Sequence, residues 1–376
     1  MKNAVRGWGL VLTGALLSAC APPGRPPPQL TGAGPSDSDS GAARAAVVYN
    51  AASTYAKLVK AYPFIEIAGT DLGTGTGRIT IAGIGYVRRG QHLLQLDLYL
   101  PRQAGPTPGA LAAVVLVHGG GWRSGERANM APLAARLAAR GIAAAVVDYR
   151  LADQARYPAA IHDVKAALRW MRANSAAYGI DPQRIAVAGG SAGGQIASLV
   201  GVTNGLARFD PDHGAGAGSS DAQAVINIDG LSDFTSPAAR ASEDDPRKQP
   251  SAAGFWFGGS YAEAAHLWHD ASPIFYVNRH TPPMLFIGSG QARFAVGRDE
   301  MRVKLNAAGV ASTLLLLPDA PHSFWLFAPW IEPTADAIAA FMADRLPMPR
   351  PTPTPRPTPT PTTTTTTTTT PTRPAP

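Results

Sequence analysis

At positions 189–193 the chain reads Gly-Gly-Ser-Ala-Gly, between the apolar run Ile185–Ala188 and the helix-like stretch Gln195–Val202. A bare G-x-S-x-G means little in a chain with 39 glycines. Its setting between a buried strand and a helix is what constrains the fold. A serine held at such a sharp strand-to-helix turn needs small residues on both sides, because the backbones approach too closely for side chains. The turn exposes the hydroxyl of Ser191 at the carboxyl edge of a sheet and aims a helix N-terminus at it.

The rest of the body agrees with that setting. A helix is predicted over Ala46–Tyr62, and Ile79–Val87 with His92–Leu100 read as a hairpin joined by Arg88–Gln91. Ala112–Val117 is continuously apolar, as a strand covered on both faces requires. A helix (Met130–Arg140), a strand (Ala143–Val147) and a long helix (Ala159–Ser175) follow, and Ala224–Ile228 is a further strand. Residues 230–270 read as irregular. Met284–Ile287 and Thr313–Leu317 are strands, with helices near 298–308 and 332–344. Strands alternating with helices imply an α/β fold, a mostly parallel central sheet with helices on both faces. There is no internal repeat.

The two ends have a different character. Residues 1–19 read as a secretory signal: Lys2 and Arg6, the apolar run Gly9–Leu17, then small residues. That run is shorter than the about 20 residues needed to span a bilayer. Residues 20–44 form a Pro/Ser/Gly-rich tether with a reach of at most about 70 Å. Residues 347–376 are a Pro/Thr-rich low-complexity tail around Thr362–Thr370, too poor in apolar groups to offset ordering entropy. The folded domain is expected over 45–346.

Charge reinforces this division. The formal net charge is +7, from 33 basic and 26 acidic residues. Five of the basic residues (Lys2, Arg6, Arg350, Arg356, Arg373) sit in the signal and tail, leaving 28 against 26 elsewhere. A nearly neutral body gives no basis for a nucleic-acid partner. The single cysteine excludes a disulfide framework and a Cys-rich metal site. It lies in Leu17-Ser18-Ala19-Cys20, which resembles the lipobox of bacterial lipoproteins. That resemblance implies an acylated Cys20, membrane attachment through it, and an exported protein anchored to the bacterial cell envelope, at the outer membrane or facing the periplasm.

Two further motifs carry chemistry. His118-Gly119-Gly120-Gly121-Trp122 ends the Ala112–Val117 strand, and a glycine run there frees backbone N–H groups to face a developing oxyanion. The general base belongs after the last strand, where Pro318-Asp319-Ala320-Pro321-His322 supplies His322. The other histidines are less well placed. His92 and His162 fall on a strand and a helix, and His213 and His280 in polar loops. His266 and His269 have no carboxylate pair or cysteine to complete a metal site. Asp210-Pro211-Asp212-His213-Gly214 lacks the closing acid of a calcium loop. No cofactor or metal is called for.

Together, the glycine run, the elbow serine and the late histidine resemble the HGGG-type serine esterases of the α/β-hydrolase fold. In that likeness the oxyanion donors are the N–H groups of Gly120, Gly121 and Ala192, and His118 supports the loop. Leu96–Pro101, Asp148–Leu151, Ala271-Ser272-Pro273 and Pro282-Pro283 resemble the secreted acetyl-xylan and feruloyl esterase group. The likeness spans most of 80–346 and implies a metal-free esterase acting on acyl groups of plant polysaccharides.

One departure matters. Those relatives carry the acid of the Ser-His-acid triad a few residues after Phe286-Ile287-Gly288, where this chain has Gln291 and no acid until Asp299. An amide in that role costs about 10⁴ in rate. Asp229, at the carboxyl end of Ala224–Ile228, is the foremost alternative. Asp299, at the start of a helix, is the second, with Asp233 and Asp319 behind. Trp256, Trp268, Trp325 and Trp330 either stack on sugar rings or pack a lid.

The leading expectation is hydrolysis of acetyl, methyl or feruloyl esters on a polysaccharide. The rivals are a small-molecule carboxylesterase or lipase-like enzyme, and a catalytically impaired carbohydrate-binding surface lipoprotein.

Overall fold

The structure, a computed structural model, describes residues 48–73, 78–102, 111–212, 218–248 and 250–348. The signal, Cys20, the tether, His213 and the tail from 349 onward lie outside the described residues. In chain order the elements are α1 (Ala51–Leu58), β1 (Glu66–Ile67), β2 (Arg78–Arg89), β3 (His92–Pro101) and β4 (Leu111–Val117). There follow α2 (Ala131–Ala139), β5 (Ala143–Val147), α3 (Ala159–Ala173), β6 (Ile180–Gly190), α4 (Ala192–Val202) and β7 (Ala224–Ile228). Three short helices, α5 (Pro237–Glu243), α6 (Ala252–Phe257) and α7 (Tyr261–Asp270), precede β8 (Met284–Ser289). The chain then forms α8 (Arg298–Ala307), β9 (Ser312–Leu317), β10 (Phe327–Ala328) and α9 (Ile331–Arg345).

Eight strands make the central sheet in the order β2-β3-β5-β4-β6-β7-β8-β9. The β2–β3 hairpin, turned at Gly90 with φ +57°, is antiparallel, as is β3 against β5. From β5 to β9 every neighbouring pair is parallel. This is the α/β-hydrolase architecture expected from the sequence. The apolar runs explain it, because their alternate residues feed two cores. Val115 and Val117 face one side with Ile196 and Leu168, while Val114 and Leu116 face the other with Leu137 and Ile338. Each fully buried Leu or Ile contributes about 1.5–3 kcal/mol relative to exposure, so a strand with both faces covered is stabilised twice over.

The chain order reverses at β4: β5 lies on one side of it and β6 on the other. In open parallel sheets the crevice at the carboxyl edge beside such a reversal is where ligands bind. Val117, the last residue of β4, pairs with Gly189. The glycine run after β4 and the serine after β6 therefore emerge side by side.

Two expectations are revised. The N-terminal helix is shorter than Ala46–Tyr62, starting at Ala51 because Asn50 caps it through a capping box with Ser53. The stretch 230–270 is not irregular. Its helices have 7, 6 and 10 residues, the first two too short to show a 3.6-residue period and the third kinked at Ala264, and each begins at a serine, Ser236, Ser251 or Ser260.

Candidate active site

Ser191 stands between β6 and α4 at φ 55°, ψ −121°, a region non-glycine residues rarely occupy. Its N–H donates to the carbonyl of Ile228 at 2.8 Å, tying the turn to the end of β7. The glycines around it are sterically required. A Cβ on Gly193 would lie 2.2 Å from the carbonyl oxygen of Val117, and one on Gly190 would lie 2.4 Å from the Trp325 ring.

His322 reaches the same point from the loop after β9. Its Nε2 lies 2.9 Å from Ser191 Oγ and its Nδ1 lies 3.1 Å from Asp229 Oδ2. Asp229 directly follows β7, whose Ile228 pairs with Gly190, so the sheet register sets it beside the elbow. Its other oxygen, Oδ1, accepts the N–H of Ser289 at 2.7 Å. The carboxylate is 2% exposed, and the Asp229 backbone is held at φ +50°. Burial pushes the imidazole of His322 below its ordinary pKa; the hydrogen bond and charge of Asp229 oppose that shift in part.

The other acids are placed elsewhere. Asp299 is exposed at the start of α8, bonded to Arg298 at 2.9 Å. Asp233 accepts the N–H of Thr235 at 2.7 Å, Asp319 is exposed, and Gln291 is exposed. Asp210 and Asp212, in the loop that lacks a closing calcium ligand, pair with Arg169 and Arg89. Among the described residues no group of three His, Cys, Asp or Glu side chains could hold a metal ion.

Gly121 and Ala192 line a cavity of about 70 Å³ beside Ser191, with Trp122, Leu231, Ala252 and Phe294. Gly120 precedes them at φ +122°, its carbonyl accepting the Ser124 hydroxyl at 3.1 Å. The loop is held from behind. The buried ring of His118 stacks on Tyr149 at 4.4 Å with Nδ1 2.7 Å from the Gly119 carbonyl, and the Tyr149 hydroxyl donates to the His118 carbonyl. Trp122 donates to Gln195 at 3.0 Å and stacks on Trp256 at 5.0 Å.

That stack bears on the aromatic question. Trp256 and Trp268 are 0% exposed, Trp325 is 1% and Trp330 is 8%. They pack the interior, and none presents a face for a sugar ring. Three contacts at the site had no signal in the sequence. Phe294 lies flat on His322 with centroids 3.4 Å apart. Arg293 binds the buried carboxylate of Glu243 at 2.7 Å. The Tyr49 hydroxyl donates to Ser323 Oγ at 3.1 Å, next to His322.

A serine hydroxyl, an imidazole and a buried carboxylate in one hydrogen-bonded line can activate the hydroxyl as a nucleophile. N–H groups at a helix N-terminus and on a glycine loop can receive the negative charge that attack creates.

Comparison with known proteins places the chain in context. The BD-FAE family profile matches residues 96–296. Among curated proteins, the chain is 35% identical over 234 residues to the esterase LipC of Mycobacterium tuberculosis, covering 61% of this chain and 57% of that one. It is 31% identical over 265 residues to an ethyl acetate hydrolase of Pseudomonas putida, covering 67% of this chain and 78% of the relative. Among solved structures, a bifunctional GH43-CE protein of Bacteroides eggerthii superposes with a TM-score of 0.60 at 26% identity, over 71% of this chain and 38% of that one. A propionate-bound esterase of Thermogutta terrifontis shares the fold with a TM-score of 0.57 at 24% identity, over 72% of this chain and 96% of that one. The chain spans somewhat more than half the length of several of its curated mycobacterial relatives.

Proposed function

Since the chain belongs to the BD-FAE family, we propose that it is a serine esterase that hydrolyses carboxylic esters by covalent acyl transfer. The observation that carries this reading is the Ser191–His322–Asp229 hydrogen-bonded line at 2.9 and 3.1 Å. His322 Nε2 takes the proton from Ser191 Oγ as Oγ bonds to the ester carbonyl carbon. The N–H groups of Gly121 and Ala192, with Gly120 behind them, receive the oxyanion. His322 then gives its proton to the departing alcohol as the carbon–oxygen bond breaks. Water repeats the steps on the acyl-enzyme and returns the free acid. Asp229 holds the imidazole with Nδ1–H toward the carboxylate and stabilises its protonated form.

The substrate we favour is an ester on a plant polysaccharide, as in the acetyl-xylan and feruloyl esterase group. Two features support it: the sequence likeness over 80–346, and the resemblance to a protein described as bifunctional GH43-CE. A small-molecule carboxylesterase is the second reading, favoured by the relative named ethyl acetate hydrolase. The impaired binding protein loses its motive, because Asp229 meets His322 where Gln291 does not. We further propose export and lipid anchoring through Cys20, which predicts release of the Cys20→Ala protein from membranes.

The test is release of acid or methanol from acetylated xylan, pectin, feruloylated xylan and short aryl esters, by wild type and by Ser191→Ala. Full activity in Ser191→Ala refutes the mechanism. Turnover confined to aryl esters transfers the case to the small-molecule reading.

A further inference from the structure

The cavity at Ser191 has a charged residue in its wall that the mechanism does not use. Glu243, the last residue of α5, lines it together with Ser191, Asp229, Arg293 and Phe294. Its side chain is 5% exposed, and a carboxylate so far out of water calls for partners at both oxygens. Only one oxygen has them. Oε1 accepts from Arg293 Nε at 3.1 Å, from a terminal Arg293 nitrogen at 2.7 Å and from the Ser242 hydroxyl at 3.3 Å. Oε2 has no partner among the described residues, and it is not sealed from solvent.

The surroundings narrow what Oε2 can take. Arg293 straps α5 to the turn Ala292–Ala295 and so fixes the direction of the carboxylate. The same guanidinium neutralises it, so a cationic ligand gains little from the pair. A neutral hydroxyl gains a charge-assisted hydrogen bond and brings no charge of its own. Phe294, the residue after Arg293, lies flat on His322 with centroids 3.4 Å apart. Glu243 and its strap therefore stand on the His322 side of the site. His322 Nε2 gives its proton to the departing alcohol, so that side receives the alcohol part of the ester.

We propose that Glu243 Oε2 accepts a hydrogen bond from a free hydroxyl on the alcohol part, close to the ester bond. The substrate class is a partial ester of a polyol or sugar, with an unacylated hydroxyl beside the acylated one. This inference rests on the esterase reading and deepens it. A site built to bind a hydroxyl rejects an analogue without one, because its own polar group is then left unpaired. Simple alkyl esters, and sugars acylated at every neighbouring position, are accordingly poor substrates.

The experiment compares kcat/KM on ethylene glycol monoacetate and on propyl acetate, which carries a methyl group in place of the hydroxyl. Wild type, Glu243→Ala and Glu243→Gln are measured, with 4-nitrophenyl acetate as a general ester. A hydrogen bond to a charged group is worth about tenfold or more, so wild type should favour the hydroxyl-bearing ester by at least about tenfold. Glu243→Ala should shrink that ratio at least about fivefold, and Glu243→Gln, which keeps the size and loses the charge, by less. A wild-type ratio short of that, a ratio unchanged in both variants, or acetylcholine turned over faster than its uncharged analogue neohexyl acetate overturns the assignment and leaves the esterase reading intact. Wild type inactive on every ester, 4-nitrophenyl acetate included, overturns both.

Discussion

Asp229 Oδ2 lies 3.1 Å from His322 Nδ1, reaching it from the end of β7, while Gln291, after β8, is exposed. The register of Gly190 opposite Ile228 sets Asp229, the next residue, beside the elbow serine.

The first prediction follows from that relationship. Asp229→Asn should lower kcat by about 10³–10⁴, because an amide at Nδ1 no longer fixes the productive tautomer. Asp299→Asn should stay within about twofold of wild type, since that carboxylate is exposed and paired with Arg298. Steady-state hydrolysis of an acetyl ester by both variants checks the pair of values, and a reversed order would reassign the acid.

The pH dependence has a definite direction. Burial, the largest influence, holds His322 below the ordinary histidine value of 6.5, and the base must be neutral to accept the proton. The acid limb of kcat/KM should therefore titrate below pH 6.5. A limb centred above pH 7 contradicts this.

His118 makes a separate statement about stability. Burial pushes it down to about 4 in the folded state, with its bond to the Gly119 carbonyl opposing. Between pH 6.5 and about 4 the unfolded chain binds the extra proton, so this contribution is complete above 6.5 and is lost as pH falls through that window. The loss approaches on the order of 3 kcal/mol at its lower end. Urea midpoints at pH 7 and pH 4.5 should differ less in His118→Gln than in wild type.

The elbow should tolerate no side chain at Gly193. A methyl group there meets the carbonyl oxygens of Val117 and His118 at 2.2 and 2.6 Å. Gly193→Ala should cost at least about 1–3 kcal/mol and most of the activity. Gly69→Ala, with nothing nearer than 3.9 Å to the added carbon, should unfold with the wild type. Thermal melting compares them.

Tyr49 is expected to position His322 through its neighbour Ser323. Its hydroxyl bonds to Ser323, and its carbonyl accepts from Asn129. Tyr49→Phe should lower kcat about fivefold with KM little changed, matching the about 1 kcal/mol of one hydrogen bond. Ser323→Ala should do the same, and the double variant should be no worse than either. Additive losses would show that the two hydroxyls act independently.

What could be read from the sequence divides along physical lines. β4 and the Ile185–Ala188 part of β6 are continuous apolar runs covered on both faces, and both end on motifs whose glycines leave no steric alternative. Ser191 and His322 were therefore identifiable by position relative to a strand end. Asp229 could be ranked but not chosen, because a residue at a strand end has no periodicity of its own. α5 and α6 were missed because a helix of about two turns does not complete an amphipathic pattern, and α7 because it is kinked at Ala264. Phe294, the Arg293–Glu243 strap and Tyr49 were invisible for another reason: their partners are far away in sequence, 274 residues in the case of Tyr49 and Ser323. Only the closing of the sheet brings them together.

The central claim is that Ser191 is a nucleophile activated by His322 and Asp229, and its most direct test is covalent labelling with a fluorophosphonate, located by peptide mass spectrometry. The account predicts one adduct, on the peptide carrying Ser191, absent from Ser191→Ala and formed about 10³-fold more slowly in Asp229→Asn. Wild-type protein that resists the reagent, or a Ser191→Ala protein labelled at the wild-type rate, would contradict it.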